Sequence, residues 1–305
     1  VVGRALHSVG DLKLTVHAGC SCRQLKDFQI TKSPEPDYRT ISPNAPVGVT
    51  HLPQVSVQEA CTRWFFHSSD SKNILAALNT RVDVCRPAPD QPTMDIMWDN
   101  FVLPLRKSIG HVPPMTFEAV IASYSDRKKR ARYDAARRNL QTIGYKDWWR
   151  GGVKIFVKKE AIKFSLQKPE PDPRAIQFRD AETTLILMAH MKPLEHRLYT
   201  THVRPHPPTR CITKGLNPRA IADLLIQTKR IRSYKFIYGL DASRFDGSLG
   251  PAHQKVEHGF WKWGVRDVRF LEALSYQVVN KGHAITSDGP INYRVTGSRM
   301  SGDAN

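Results

Sequence analysis

The chain reads as an α+β protein. Three observations carry that reading: a period-two apolar alternation over residues 153–157, helical patterns that dominate the first half, and short strands set off by turn residues near the end. Helices that come before the strands, instead of alternating with them, exclude a doubly wound parallel sheet.

Taken in order, residues 1–55 form an N-terminal extended arm, because Pro34, Pro36, Pro43, Pro46 and Pro53 interrupt any helix there. Ser56-Val57-Gln58-Glu59 matches a capping box, and a helical pattern runs from it toward Leu78. Thr93 and Ser125 are N-cap candidates for two further helices. The second of these is strongly basic, with seven Lys or Arg among the twelve residues 127–138, so only Tyr133 and the alanines are left to pack. In the strand that follows, Val153, Ile155 and Val157 share one side while Lys154, Phe156 and Lys158 share the other. A second strand at 175–178 comes next. Asp180 then opens a helical stretch interrupted at Pro193, and Asn217-Pro218 reads as an N-cap followed by Pro at the first helical position. Residues 234–240 form an apolar strand that stops at Asp241. Helices bearing Trp261, Trp263 and Phe270 follow, and turns at Asn280-Lys281-Gly282 and Asp288-Gly289-Pro290 separate the last strands.

Composition narrows the function. In 305 residues, 46 Lys and Arg face 28 Asp and Glu, a net charge of +18. At 40% hydrophobic residues the chain folds around a core, which leaves the excess charge on its surface and makes a polyanion the expected partner. The longest strongly apolar stretch, 185–189, is far short of the roughly 18 residues of a membrane span. Five cysteines without a framework spacing suit a reducing compartment. His7, His17, Cys20 and Cys22 lack the spacing of a zinc site. His190, His196, His202 and His206 form no metal set and read as ordinary surface residues. Trp148 and Trp149 beside Arg150 read as core and rim.

Three segments carry chemistry. An apolar strand delivers Asp241 at its end, and a tight turn brings Asp246 round five residues later; a carboxylate at a strand terminus suits a divalent cation, since Mg²⁺ is held by one or two carboxylates together with substrate phosphates and water. Upstream, Lys158, Lys159, Lys163, Lys168 and Arg174 cluster on and around a hairpin and suit a polyphosphate, Arg as a planar fork and Lys as a point charge. The third segment, Gly297-Ser298-Arg299-Met300-Ser301-Gly302-Asp303-Ala304-Asn305, places glycines where backbone can approach a ligand closely or a loop can move.

In this order and spacing the segments resemble the fingers and palm of viral RNA-directed RNA polymerases, most closely the tombusvirus-like group of positive-strand RNA viruses. Lys158-Lys159-Glu160 with Pro173-Arg174-Ala175-Ile176-Gln177 resembles motif F, Gly239-Leu240-Asp241-Ala242-Ser243-Arg244-Phe245-Asp246 motif A, and Met300-Ser301-Gly302-Asp303-Ala304-Asn305 the opening of motif B. The likeness covers about residues 150–305. It implies a partial right-hand polymerase: fingers over 56–233, including a motif F hairpin at about 151–179, and the start of the palm over 234–305, with motif A at 236–246, an intervening fingers segment, and motif B opening at 297–305.

By that resemblance Asp241 is a metal ligand, with the Ala242 carbonyl beside it, for two Mg²⁺ (or Mn²⁺) ions. Asp246 senses the ribose 2′-hydroxyl. Lys158, Lys159, Arg174 and, more weakly, Lys163 and Lys168 hold the incoming triphosphate. Ser301 and Gly302 form the loop beside the nascent base pair. Outside the resemblance, the charge of the basic helix makes Arg127, Lys128, Lys129 and Arg130 an expected RNA-binding surface. The implied partners are template and nascent RNA, ribonucleoside triphosphates and other viral replication proteins, in host cytoplasm at membrane-associated complexes. Gly247-Ser248 departs from the Gln-His pair usual after motif A. The 305 residues contain no Gly-Asp-Asp motif C, so these residues alone are expected not to polymerise. A non-enzymatic basic RNA-binding protein is the alternative; it leaves unexplained an apolar strand that ends in Asp241 within a basic chain. A reverse transcriptase normally carries a bulky aromatic where Asp246 stands.

Overall fold

The computed structural model describes residues 5–9, 12–16, 29–32, 49–51, 64–82, 89–143, 152–160, 162–163, 172–201, 210, 212–232, 239, 241–242, 244–286 and 289–303. Helices and strands are mixed, as an α+β chain requires. Outside the described residues lie the capping box at 56–59, Trp148 to Arg150, Lys168, His17, His202, His206, all the cysteines and most of the 234–240 strand.

Strands β1 (Ala5–Val9) and β2 (Leu12–Val16) form an antiparallel hairpin. A three-stranded sheet takes β4 (Val49–His51), β5 (Trp64–His67) and β7 (Ile162–Lys163) in that order. The principal sheet has five strands in the order β3 (Gln29–Lys32), β10 (Gly289–Thr296), β9 (Val279–Thr286), β6 (Val153–Val157) and β8 (Ala175–Arg179). All its pairings are antiparallel except β6 with β9, which run parallel. In β6 the expected alternation holds residue by residue: Val153, Ile155 and Val157 are buried, Lys154 and Phe156 exposed.

The buried face of this sheet is covered by α1 (Ser71–Arg81), whose Ile74 and Leu78 pack with Val153, Ile155, Tyr293, Val295 and Met300. Asp70 caps α1 by accepting from the Asn73 amide at 2.8 Å. The helical pattern read across 56–78 is therefore narrower in the structure: Trp64–His67 is a strand, and the helix starts only after Asp70.

A second layer is helical. Helix α2 (Gln91–Met97) runs through one π-helical turn (Trp98–Val102) into α3 (Leu103–Ile109); α4 (Phe117–Ala122) and the basic α5 (Arg127–Thr142) follow. Their true caps are Asp90, which accepts from Thr93, and Asp126, which accepts from Lys128 and Lys129, in place of the predicted Thr93 and Ser125. A nearby carboxylate outcompetes a hydroxyl at this position because it also complements the helix dipole. Along α5 the packing side is the expected one, with Ala136 buried and Tyr133 partly so.

Helix α6 (Ala181–Thr200) is the spine of this layer, capped by Asp180 and burying Leu185, Ile186, Leu187, Ala189, Met191 and Leu194. The expected break at Pro193 does not occur. Proline cannot donate to the carbonyl four residues back, Ala189, and that carbonyl instead accepts from the Met115 amide at 2.8 Å, so the helix continues. His190 is also not a surface residue: its ring stacks on Phe270 with centroids 4.4 Å apart and its Nε2 lies 3.1 Å from Asp267.

Asn217 caps α7 (Pro218–Arg232) as predicted. The short α8 (Phe245–Ser248) leads to α9 (Pro251–Lys262) and α10 (Val268–Ser275), and the latter two close the helical core with Phe260, Trp261, Phe270 and Leu274. Arg106 is buried with no carboxylate partner among the described residues; its Nε donates to Phe260 O and its Nη2 to Trp263 O, both at 3.2 Å, which satisfies carbonyls at the end of α9.

The turn predicted at Asn280-Lys281-Gly282 is in fact the interior of β9. Asn280 spends its turn-forming amide on the carbonyls of Gln277 and Gly297, both at 3.0 Å, and Gly282 is needed because a Cβ there would come within 1.8 Å of the Tyr293 ring. Asp288 of the later predicted turn lies outside the described residues; β10 begins at Gly289, which pairs with Thr286 at the end of β9 and whose φ of 128° suits glycine alone.

One buried ion pair joins sheet to loop. Arg179, at the end of β8, donates from Nε to Asp303 at 2.6 Å and from Nη2 at 3.2 Å, with side-chain exposures of 1% and 2%. Removing one partner strands a charge in the core, so Asp303→Ala is expected to cost about 3–5 kcal/mol in denaturant unfolding. Arg179→Met combined with Asp303→Leu is expected to recover most of that loss; equal losses in the single and double variants would contradict the pairing.

Candidate active site

Three stretches that lie far apart in sequence meet at the outer edge of β8. The first is the β6–β8 hairpin. Lys158 and Arg174 sit at its mouth, where the Lys158 amide donates to the Arg174 carbonyl at 2.6 Å. Both side chains reach Glu160, Lys158 in a short ion pair and Arg174 at 3.2 Å, and the hydrogen bond from Lys158 leads in holding the Glu160 carboxyl below its ordinary range. Lys159 is exposed beside them. The backbone of Lys163 belongs to β7, which pairs with β5 in the separate three-stranded sheet.

The second stretch is the turn from Asp241 to Ser248. Asp241 and Ala242 are exposed. Arg244 holds a left-handed backbone, φ 55° and ψ 39°, and its Nη2 lies 3.4 Å from Asp172, two residues before Arg174. This contact joins the Asp241 turn to the basic hairpin.

The third stretch is the loop after β10. Ser301 Oγ accepts from the Gln177 amide at 3.0 Å, and the Gly302 amide donates to the Gln177 carbonyl at 2.7 Å. The loop thereby covers the free edge of β8, an edge that would otherwise offer unpaired backbone groups to other chains. Glycine is required at 302 because a Cβ would lie 2.6 Å from that same carbonyl. Its close approach is thus to the protein's own strand.

Backbone strain gathers between the second and third stretches. Among the described residues Arg244 and Ser298 are the non-glycine positions with positive φ, and both adjoin Asp246. The Asp246 carbonyl accepts from the Arg299 amide at 2.9 Å, and the Ser298 amide donates to Leu249 O at 2.7 Å. Half-buried, the Asp246 carboxyl is pushed up from its ordinary value chiefly by burial and secondarily by Asp303, against the opposing pull of Arg299. Beneath it a buried amide network fixes the loop: Gln254 Nε2 donates to Gln277 O at 3.0 Å and Ser298 O at 3.2 Å, and Gln177 Nε2 donates to Tyr293 Oη at 2.8 Å.

Among the described residues no three His, Cys, Asp or Glu side chains converge as a cation cage. The exposed Asp241 is a hard oxygen donor of the kind Mg²⁺ takes singly or in pairs while phosphate and water fill the other positions, so its chemistry fits one protein ligand of such an ion.

Arg127, Lys128, Lys129 and Arg130 are all exposed on the first turn of α5. The same helix reaches the site edge through Arg132, whose guanidinium lies 5.3 Å from the Phe178 ring centroid on β8. Sequence reasoning assigned no role to Arg244, Arg179 or Asp303, although each lies within or next to a quoted motif. It also missed Arg81 at the end of α1, where no local pattern marks it. Among the described residues no helix is long and apolar enough to cross a membrane.

A profile of the family described as "Viral RNA dependent RNA polymerase" matches residues 29–305. The RNA-directed RNA polymerase of Pothos latent virus (isolate Pigeonpea/India) is 37% identical over 200 residues, 65% of this chain and 26% of that protein. That of Maize chlorotic mottle virus (isolate United States/Kansas/1987) is 29% identical over 266 residues, 85% of this chain and 26% of that protein. For Turnip crinkle virus the figures are 34% over 154 residues, 50% and 20%. The matched regions amount to about a quarter of the length of these curated relatives. With a match running from the third strand to the last residue, and relatives drawn from tombus-like viruses, the chain belongs to the viral RNA-dependent RNA polymerase family.

Proposed function

We propose that these residues are the fingers and the beginning of the palm of an RNA-directed RNA polymerase, which adds ribonucleoside monophosphates to an RNA 3′ end on an RNA template in the replication of a positive-strand virus. The observation that carries the reading is the meeting of the Lys158/Arg174 hairpin, the Asp241 turn and the Ser301-Gly302 loop at one edge, through Arg244–Asp172 and Ser301–Gln177.

Each residue's task follows from its chemistry. Lys158, Lys159 and Arg174 bind the triphosphate of the incoming nucleotide; the phosphates compete with Glu160 for Lys158 and Arg174 and win by carrying more charge. Charge that develops on the leaving pyrophosphate is neutralised by the same cations. Asp241, with the Ala242 carbonyl beside it, would hold divalent Mg²⁺ or Mn²⁺. Bound there in a pair, such ions would polarise the phosphate and lower the pKa of the attacking hydroxyl. Asp246 accepts a hydrogen bond from the ribose 2′-hydroxyl, which a deoxyribonucleotide cannot supply. Ser301 and Gly302 present a fixed backbone beside the new base pair. Arg127 to Arg130 track RNA phosphates, an interaction that weakens steeply with salt. Template and product RNA, nucleotides and other replication proteins are the partners of this reading, and membrane-associated complexes in the host cytoplasm are its setting. The remaining metal-binding carboxylate is expected from a Gly-Asp-Asp motif elsewhere in the complete protein.

Primer extension by the complete protein tests the reading. Asp241→Asn is expected to lower the rate by at least two orders of magnitude in Mg²⁺, the scale of losing one electrostatic stabiliser of a transition state; extension at the parent rate would remove Asp241 from the metal site. Asp246→Asn is expected to narrow the preference for ribonucleotides over deoxyribonucleotides, and unchanged discrimination would remove Asp246 from sugar sensing. The same substitution has a second readout. A carboxyl whose pKa is raised on folding favours the folded state most when protonated, and that advantage is lost as pH rises through the folded pKa. Asp246→Asn is therefore expected to stabilise the fold at neutral pH and to lose the advantage toward pH 4, as thermal unfolding at the two pH values would reveal.

A further inference from the structure

Arg81 is an unexplained charge. It is the last residue of α1, half-buried, and its Nε is buried with no hydrogen-bond partner among the described residues. Arg174 from the mouth of the β6–β8 hairpin and Arg244 from the Asp241 turn are both close enough to act on it electrostatically. The carboxylates nearest this group, Asp172 and Glu160, already engage Arg244 at 3.4 Å and Arg174 at 3.2 Å, and Glu160 also holds Lys158. Burial first, then repulsion from Arg174 and Arg244, lowers the Arg81 pKa from its ordinary value.

A helix C-terminus favours a cation, which accounts for an Arg at this position but not for burying its Nε unpartnered among the described residues with two other guanidiniums near by. Three guanidiniums brought together around two carboxylates are a costly arrangement unless an anion joins them. Three planar forks from α1, the hairpin and the Asp241 turn are what a multiply charged phosphate chain requires.

We propose that Arg81 is a nucleotide-binding residue, a third guanidinium that grips the triphosphate tail together with Arg174 and Arg244. The identity of the anion rests on the polymerase reading above; the existence of the anion site does not. Arg81 thereby ties the first helix of the principal sheet to the site, and it assigns a binding role to a region that no motif covered. Arg244 gains a second role as well, since Asp172 holds its fork in place until phosphate arrives.

The test uses the complete protein and two measurements. In calorimetry with inorganic tripolyphosphate, Arg81→Gln is expected to weaken binding about tenfold or more, the scale of one lost charge-assisted hydrogen bond. In primer extension the same variant is expected to raise KM for all four ribonucleotides by a similar factor with kcat little changed. Its thermal midpoint is expected to equal or exceed the parent's, because repulsion is relieved. Arg81→Lys, which keeps the charge and loses the fork, is expected to fall between parent and Arg81→Gln, and it supplies the comparison should Arg81→Gln fold poorly. Tripolyphosphate affinity and KM at parent values in either folded variant would overturn the proposal. A parent that binds tripolyphosphate through Arg81 yet never extends RNA would overturn the polymerase reading and leave the anion site standing. A parent that extends RNA with tripolyphosphate binding indifferent to Arg81 would do the reverse.

Discussion

Arg179 and Asp303 form an ion pair from which water is excluded, and the arrangement of the site depends on it. The guanidinium leaves the end of β8 and meets a carboxylate from the loop after β10, while also donating to Asn280 of β9 and, at 3.3 Å, to the Tyr276 carbonyl. Four segments thus share one cation. Such a pair adds little net stability compared with a well-packed apolar replacement, but leaving either charge alone in the core is expensive. In this placement of the loop both groups are satisfied. With that placement fixed, Ser301 and Gly302 reach the backbone of Gln177, and the strand that carries Arg174 is coupled to the loop that flanks Asp246.

Around this anchor the chain accepts unfavourable local terms. Arg244 and Ser298 hold left-handed backbones, of order 1–3 kcal/mol each for residues other than glycine. Asp246 is half-buried near a second carboxylate, and Arg81 buries an Nε unpartnered among the described residues with two other guanidiniums near by. These features crowd into one corner of the molecule.

Much of this was legible in the sequence, and the failures are instructive. The alternation of β6, the cap at Asp180 and the basic face of α5 are local patterns that the fold left intact. Pro193 and Asn280-Lys281-Gly282 misled because tertiary partners overrode local preference: the Met115 amide serves the carbonyl that proline leaves orphaned, and the Tyr293 ring occupies the space over Gly282. His190 was read from its neighbours in sequence, whereas its surroundings are Phe270 and Asp267, about eighty residues away. The site motifs were visible as separate segments. Arg81 was not, because nothing around it in the sequence announces that Arg174 and Arg244 lie near enough to act on it.

Hydrogen exchange at two amides is the most direct test that one buried ion pair couples strand and loop. In the parent protein the Gln177 and Gly302 amides, which bond across the junction, are expected to exchange slowly and with the same apparent free energy of opening. In Asp303→Asn both are expected to lose protection together, while amides within α6 keep theirs. Faster exchange at Gly302 with Gln177 unchanged, or no change at either, would contradict the coupling.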